Sequence, residues 1–154
     1  MVSDKYEVSQ NNFVLSTDRN RMDVDVVCKY LHDEAYWCKG IPRDVAERSI
    51  QNSLCFGIYH GVEQVGFARV ISDFATFAYL GDVFVLPAYR GQGLSKWMME
   101  CIMGHPLLQG LRKFQLVTRD AHGLYEKYGF TRIVEPERHM EKTVPANQLY
   151  GRDD

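Results

Sequence analysis

The sequence lacks the features that mark membrane, disordered and nucleic-acid-binding proteins. Its 154 residues carry a formal net charge of −2, and no apolar run approaches the length that spans a bilayer. A charge this close to zero supplies no basic face for nucleic acid, and 45% hydrophobic residues are more than a disordered chain contains. The polar start of the chain has no apolar segment typical of a secretory signal, which predicts a cytoplasmic protein with no membrane or nucleic-acid partner.

Cysteine is scarce and scattered. The four cysteines form no C-x-x-C pair and have no histidine at ligand spacing, and they are Cys28, Cys38, Cys55 and Cys101. This pattern predicts reduced thiols, with no metal site and no disulfide framework. The length suits one hydrophobic core, so we expect a single domain over residues 1–154, with a mobile polar start and a frayed tail over 145–154.

The segment VFVLPAYRGQGLSKWM, residues 83–98, is the most informative stretch. Its β-branched and aromatic start predicts a strand, Gly91 and Gly93 allow a tight turn, and a helix follows at once. Apolar residues at helical spacing form one face of that helix: Leu94, Trp97, Met98 and Cys101. The free N–H groups of Gly91 to Ser95 would then converge at the positive end of the helix dipole, which favours an anion such as a diphosphate.

Two well-known phosphate loops do not match this segment. A Walker loop needs a glycine directly before its lysine, and Ser95 precedes Lys96 here. The dinucleotide motif G-x-G-x-x-G would need a third glycine where Lys96 stands. A glycine-rich strand-to-helix turn without any ligand remains the alternative at this point.

Two motifs together resemble the GNAT family of N-acetyltransferases. Residues 90–95, RGQGLS, fit the family's R-x-x-G-x-[GA] loop, with Ser95 in place of the usual Gly or Ala. About thirty residues later, YEKYGF at 125–130 is similar to the family's Y-E-x-x-G-F signature, and the resemblance covers about residues 54–143. It implies that acetyl-CoA is the co-substrate, held by Val83, Phe84, Val85, Arg90, Gly91, Gln92, Gly93, Leu94 and Ser95.

The expected fold is a single α/β domain of the α+β kind, a mixed, mostly antiparallel sheet with flanking helices. We expect strands near 12–16, 54–59, 62–71, 75–86, 113–118, 130–134 and 139–143, and helices over 23–35, from 42, from 94 and over 120–128. A bulge is expected at Gly81. The family resemblance implies that the fourth and fifth strands splay apart, leaving backbone groups of Val83, Phe84 and Val85 free for an amide-bearing ligand.

Acyl transfer from a thioester to an amine needs two proton-handling groups. Tyr125 matches the family's tyrosine near the cofactor sulfur, and a phenol with a pKa of about 10 is protonated at neutral pH and can serve as the acid. Asp82 stands at the start of the strand where many family members carry an acid, and apolar neighbours would favour its uncharged form. A structural role for Asp82 is an equal alternative, and His122 is the second candidate base.

The acceptor pocket is expected from the first two helices and their connection, HDEAYWCKGIPRD. Tyr36 and Trp37 are candidate pocket walls, although core packing is the simpler reading for both. Asp33 or Glu34 could attract a cationic amine. The acceptor is left open between a small amine, an amino acid, an aminoglycoside-like molecule and a protein amine, and a homodimer is also left open. A non-catalytic acyl-CoA sensor and a plain nucleotide-binding module are the alternatives to an enzyme.

Overall fold

A computed structural model describes residues 5–151. One six-stranded sheet runs in the order β1 to β6, and five helices accompany it. The strands are β1 (Glu7–Gln10), β2 (Phe13–Ser16), β3 (Leu54–His60), β4 (Glu63–Ser72), β5 (Phe77–Val85) and β6 (Lys113–Leu116). The helices are α1 (Val24–Asp33), α2 (Arg43–Gln51), α3 (Leu94–Met103), α4 (His122–Glu126) and α5 (Ala146–Leu149).

The sheet carries a hydrophobic cluster on each face. On one face, α3 buries the predicted stripe, including Trp97 and Met98, against strand residues such as Phe56. On the other face, α1 and α2 pack on Phe67 and Phe84. These amphipathic helices each bury one apolar side, as their residue spacing predicts.

Antiparallel pairing joins β1 through β5, whereas β5 and β6 are parallel. Pairing between β5 and β6 ends at Leu80 and Leu116, but β5 continues to Val85 along β4. A wedge therefore opens between these two strands, beyond Leu80. The predicted mixed, mostly antiparallel fold is confirmed, and the strands expected as fourth and fifth are β5 and β6.

The bulge in β5 lies one residue beyond the predicted position. Arg69 pairs with Gly81 and Phe67 pairs with Phe84, so Ala68 of β4 faces both Asp82 and the residue after it. Asp82 has a φ of 54°, the left-handed conformation that aspartate tolerates better than most residues. The bulge turns Asp82 out of the regular strand at the point where the wedge begins.

The structure differs from the sequence predictions near both ends of the chain. The strand β1 was not predicted, because its four residues are mostly polar and exposed. No strand forms within 130–145, and residues 131–145 are all exposed, so they bury no face against the sheet. The expected frayed tail instead contains α5, and Tyr150 packs on the hydrophobic cluster beneath α1 and α2. Residues 1–4 and 152–154 lie outside the described part of the chain.

The four cysteines are all free thiols. Among residues 5–151, no helix is both long and apolar enough to cross a membrane.

Candidate active site

The loop before α3 presents a row of unused backbone donors. Gly91 and Gly93 have φ values of 83° and 80°, and an added Cβ at either position would meet no atom within 4 Å. The first helical hydrogen bond is Trp97 N to Gly93 O, at 3.0 Å. Within residues 5–151, the amides of residues 91–96 have no acceptor. Such a row at the N-terminus of a ten-residue helix is a site for an anion.

These amides border a shallow concavity beside the wedge. It is lined by Val85, Tyr89, Arg90, Gly91, Gly93, Leu94, Ser95 and Lys96. Leu94 is buried in the core, so its side chain anchors the helix while its amide stays available. Most of this set was predicted from the sequence, but Tyr89 and Lys96 were not, and the amide of Lys96 closes the row.

Arg90 braces the loop. Its Nε donates to Val85 O at 2.8 Å and its terminal nitrogen donates to the Tyr30 hydroxyl at 3.0 Å. The Tyr30 ring stacks on Phe84 with the ring centroids 3.9 Å apart. Arg90 therefore connects β5, α1 and the loop before α3. The sequence could not reveal this contact, because Tyr30 is distant from Arg90 in the chain.

The end of β5 offers backbone groups to the wedge. Leu86 N donates to Val65 O at 2.8 Å, so the N–H group of Leu86 points toward β4. Because successive residues of a strand point their N–H groups to opposite edges, the N–H of Val85 points into the wedge. Phe84 pairs with β4, and its ring is buried in the hydrophobic cluster beneath α1 and α2. The strand thus combines core packing with a free backbone donor.

Tyr125 lies in α4 and belongs to the hydrophobic cluster that also contains the buried face of α3. Its side chain is buried, and its hydroxyl has no hydrogen-bond partner among residues 5–151. Burial, and to a lesser degree Tyr36, raises the pKa of Tyr125, so the phenol keeps its proton above the usual range. Gly129 has a φ of 93° and lets Phe130 N return to Tyr125 O at 3.3 Å, which closes the turn after α4.

Asp82 has polar partners, in contrast to the apolar surroundings that the sequence predicted. Its two carboxylate oxygens accept from Arg69 Nε and from Trp37 Nε1, both at 2.7 Å. Arg69 also donates to Ser53 Oγ at 3.0 Å. The apolar expectation is wrong because Arg69, opposite Gly81 in the neighbouring strand, reaches the bulge. Asp82 therefore holds Trp37 at the wedge as well as being a candidate base.

The connection between α1 and α2 lies beside the wedge, as expected for an acceptor pocket. Tyr36 and Trp37 are 51% and 40% exposed, with their rings edge to face and centroids 5.0 Å apart. Arg119, between β6 and α4, places its guanidinium carbon 3.8 Å from the centre of the Tyr36 ring. Both aromatic residues thus face solvent at the rim of the wedge and do not pack in the core.

The rim of the wedge consists of Asp82, Trp37, Tyr36 and Arg119. Other predicted residues lie outside it. His122 is the exposed first residue of α4. Asp33 pairs with Lys29 and His32 on the surface of α1, and Glu34 is exposed at the end of that helix. None of these side chains contacts Asp82 or Tyr125 in the part of the chain that the structure describes.

Cys38 is close to the rim but is no nucleophile. Burial and the nearby Asp82 raise the pKa of its thiol to about 12, and its Sγ donates to Leu31 O at 3.5 Å. Tyr150 also approaches this region, with its Cβ within 3.8 Å of the position a Cβ at Gly40 would take. Tyr150 therefore packs against the loop that carries Tyr36 and Trp37, a contact that was not predicted.

The loop with unused backbone donors lies beside an open wedge and a buried phenol, and comparison with known proteins identifies the family. The family model described as "Acetyltransferase (GNAT) domain" matches residues 51–132. A Gibberella zeae protein provisionally named an acetyltransferase is 32% identical over 141 aligned residues, covering 77% of this chain and 78% of that one. The chain therefore belongs to the GNAT family of acetyltransferases.

Solved structures share the fold. A GNAT-family protein of Xanthomonas campestris is 50% identical, with a TM-score of 0.89, and the match covers 94% of this chain and all of that one. An acetyltransferase of Clostridium acetobutylicum, solved with acetyl-CoA, is 19% identical with a TM-score of 0.61, covering 86% and 95% of the two chains. The latter likeness concerns the fold alone.

Proposed function

We propose that this protein transfers the acetyl group of acetyl-CoA to the primary amine of a small acceptor, by direct attack in a ternary complex. The unused amides of residues 91–96, next to the open wedge, carry the proposal. Acetyl-CoA supplies an activated thioester, a diphosphate and two amide groups. The diphosphate fits the loop amides, and the pantetheine amides fit the open edge of β5.

The N–H of Val85 is a candidate donor to the wedge ligand. A backbone donor aimed at a carbonyl oxygen that gains negative charge contributes about 3 kcal/mol to acyl transfer. The buried wall provided by Phe84 keeps this strand end rigid. The carbonyl of Val85 is already used by Arg90, so that residue offers its donor alone.

Proton transfer involves Tyr125 and a base near Asp82. As the new C–N bond forms, the amine nitrogen loses a proton, and as the C–S bond breaks, the sulfur gains one. Tyr125 donates to the sulfur, since its raised pKa keeps it protonated. Asp82 takes the amine proton, directly or through water, and His122 is the second candidate. The raised pKa of the Cys38 thiol disfavours an acetyl-enzyme at that residue.

A thiol-release screen tests the proposal. Acetyl-CoA is mixed with the protein and a panel of small amines, amino acids, aminoglycosides, and peptides with free lysine or N-terminal amines. We expect release of CoA thiol with at least one class of acceptor, and the responding class identifies the substrate. A response from peptides alone would make the protein a protein acetyltransferase.

Two other outcomes correspond to other functions. Tight binding of acetyl-CoA with no turnover on any amine would identify an acyl-CoA sensor. Equal thermal stabilisation by ADP and by CoA would identify a nucleotide-binding module, because ADP lacks the pantetheine arm. The oligomeric state, including a homodimer, stays a prediction.

A further inference from the structure

Arg119 is a cation at the rim of the wedge that has no carboxylate partner among residues 5–151. Its side chain lies over the Tyr36 ring, and no ion pair joins it to the adjacent Asp120. Arg69, the other arginine of this region, is neutralised by Asp82 at 2.7 Å. Arg119 therefore leaves uncompensated positive charge next to the expected path of the acceptor.

The position of Arg119 is fixed at both ends of the residue. Thr118 Oγ1 accepts from Ala121 N at 3.0 Å, which closes the turn that carries Arg119. At its other end, the guanidinium is held by the face of Tyr36. The same turn leads into α4, so Arg119 is linked by a short segment to Tyr125.

The topology places Arg119 and Asp82 at the same edge. The strands β5 and β6 are parallel and stop pairing with each other at Leu80 and Leu116, and Asp82 and Arg119 follow two and three residues later. Between them, Trp37 donates to Asp82 and touches Tyr36, which contacts Arg119. These contacts form a continuous rim around the mouth of the wedge.

We infer that Arg119 recognises a negatively charged group of the acceptor, a carboxylate or a phosphate, so that the acceptors of this enzyme are acidic amines. The inference rests on the proposed function, because it assigns the acceptor side of that site. A guanidinium over an aromatic ring uses its face and keeps its edge N–H donors free. Those donors match the paired oxygens of a carboxylate or phosphate.

Matched acceptor pairs test this inference. Amino acids are compared with their primary amides, and O-phosphoethanolamine with ethanolamine, in thiol-release assays on the wild type, Arg119→Gln and Arg119→Lys. We expect the wild type to prefer the charged member of a pair, and Arg119→Gln to reduce that preference at least tenfold through KM. The neutral members should react as before. The pair with the larger effect distinguishes a carboxylate from a phosphate.

Arg112→Gln is the matched control, because Arg112 is also an exposed arginine next to β6, before the strand and away from the rim. It should leave the preference unchanged. An Arg119→Gln variant that loses charged and neutral acceptors equally, or loses neither, would overturn the inference.

Calorimetric titration of the same pairs into protein saturated with CoA separates this inference from the proposed function. Charge-dependent binding that is lost in Arg119→Gln, without turnover of any amine, would keep the acidic-ligand site and reject the acetyltransferase proposal. Turnover of amines without any charge preference would keep the acetyltransferase proposal and reject the acidic-ligand site.

Discussion

Tyr125 and Tyr128 lie one turn apart and differ in what their hydroxyl groups contact. Tyr125 has no hydrogen-bond partner in the described part of the chain, whereas Tyr128 donates to Lys96 O at 3.0 Å. If Tyr125 is the acid, Tyr125→Phe should lower turnover about 10²-fold and leave CoA affinity within a few-fold of normal. Steady-state kinetics with an accepted amine, beside a CoA titration, measures both quantities.

Tyr128→Phe is the control for the loss of a tyrosine hydroxyl, because Tyr128 lies in the turn just after α4. It removes a structural hydrogen bond, so we expect a loss of about 1 kcal/mol in unfolding free energy and near-normal turnover. Tyr125→Phe should show the opposite pattern. Equal turnover of Tyr125→Phe and the wild type would exclude Tyr125 as the acid, and a parallel loss of binding and turnover would make it a cofactor contact.

Asp82 combines a structural contact with a proposed chemical role, and substitution separates the two. Asp82→Asn should keep the left-handed backbone, which asparagine tolerates, and lower turnover without weakening CoA binding. If Asp82 is the base, the acidic limb of the pH–rate profile should disappear in the variant. Loss of the charged partner of Arg69 should also cost about 1–3 kcal/mol of unfolding free energy.

Trp37→Phe is the matched variant, since it removes the other donor to Asp82 and retains the carboxylate. It should keep the acidic limb even if KM for the acceptor rises. An Asp82→Asn profile identical to that of the wild type would transfer the base role to His122 or to water, and His122→Gln distinguishes those two.

The site was predictable from the sequence only where its residues are close together in the chain. The loop at 90–95 and Tyr125 belong to continuous motifs, so the resemblance of those motifs to the family pointed to them. The contacts of Arg69 with Asp82 and of Arg119 with Tyr36 could not be predicted. The first depends on the register of the sheet, and the second depends on the position of the loop after α1. A single sequence carries no signal for contacts of that kind.

At the scale of elements, the loop and α3 form one anion-binding unit. Gly93→Pro removes one of the free amides and demands a φ near −65° where the chain has 80°. If several charge-assisted bonds of about 1.5–3 kcal/mol each hold the diphosphate, binding of acetyl-CoA should fall below detection. Isothermal titration of the folded variant, checked by circular dichroism, measures this.

Gly110→Pro is the corresponding control outside the site. Gly110 has a φ of 73° and open space around it, so proline imposes a similar backbone strain there. Both variants should lose comparable stability, but Gly110→Pro should bind acetyl-CoA normally. Normal binding by Gly93→Pro would remove the basis of the proposed cofactor site.

Elements with a strong apolar period were predictable, and elements at the ends of the chain were not. The helix α1 was expected from its apolar stripe, and it begins after Asp23, whose side chain accepts from Val26 N at 3.2 Å. The two strands expected after Phe130 do not form, although their residues alternate suitably. Residues 131–145 are exposed along their whole length, so no buried face holds them against the sheet, and such burial depends on tertiary packing that composition does not reveal.

At the scale of the whole molecule, His105 connects pH to global stability. Its ring lies near the rings of Tyr6 and Phe56, with centroids 4.8 and 5.6 Å away. Its Nδ1 accepts from Leu107 N at 3.1 Å, and its buried Nε2 has no partner within residues 5–151. Burial lowers the pKa of His105, because a charged ring would lose its hydration there.

The unfolded chain therefore takes up a proton at His105 more readily than the folded protein. The free energy of unfolding is therefore highest above about pH 6.5, the pKa of histidine in the unfolded chain. It falls as the pH decreases through the lower pKa of His105 in the folded protein. The lowered pKa values of Asp33 and Asp73 act in the same direction, but below about pH 4, where unfolded aspartate titrates. The window just below pH 6.5 is thus specific to the histidine.

His105→Asn tests this coupling, because asparagine can still accept from Leu107 N but does not titrate. Urea unfolding followed by circular dichroism between about pH 5 and pH 8 should show wild-type stability falling below about pH 6.5. The variant should have a flatter profile over the same range, at a stability reduced throughout by about 1–2 kcal/mol for the lost ring packing. His122→Asn, an exposed counterpart, should keep the wild-type slope. A His105→Asn profile as steep as that of the wild type would show that another group causes the loss of stability.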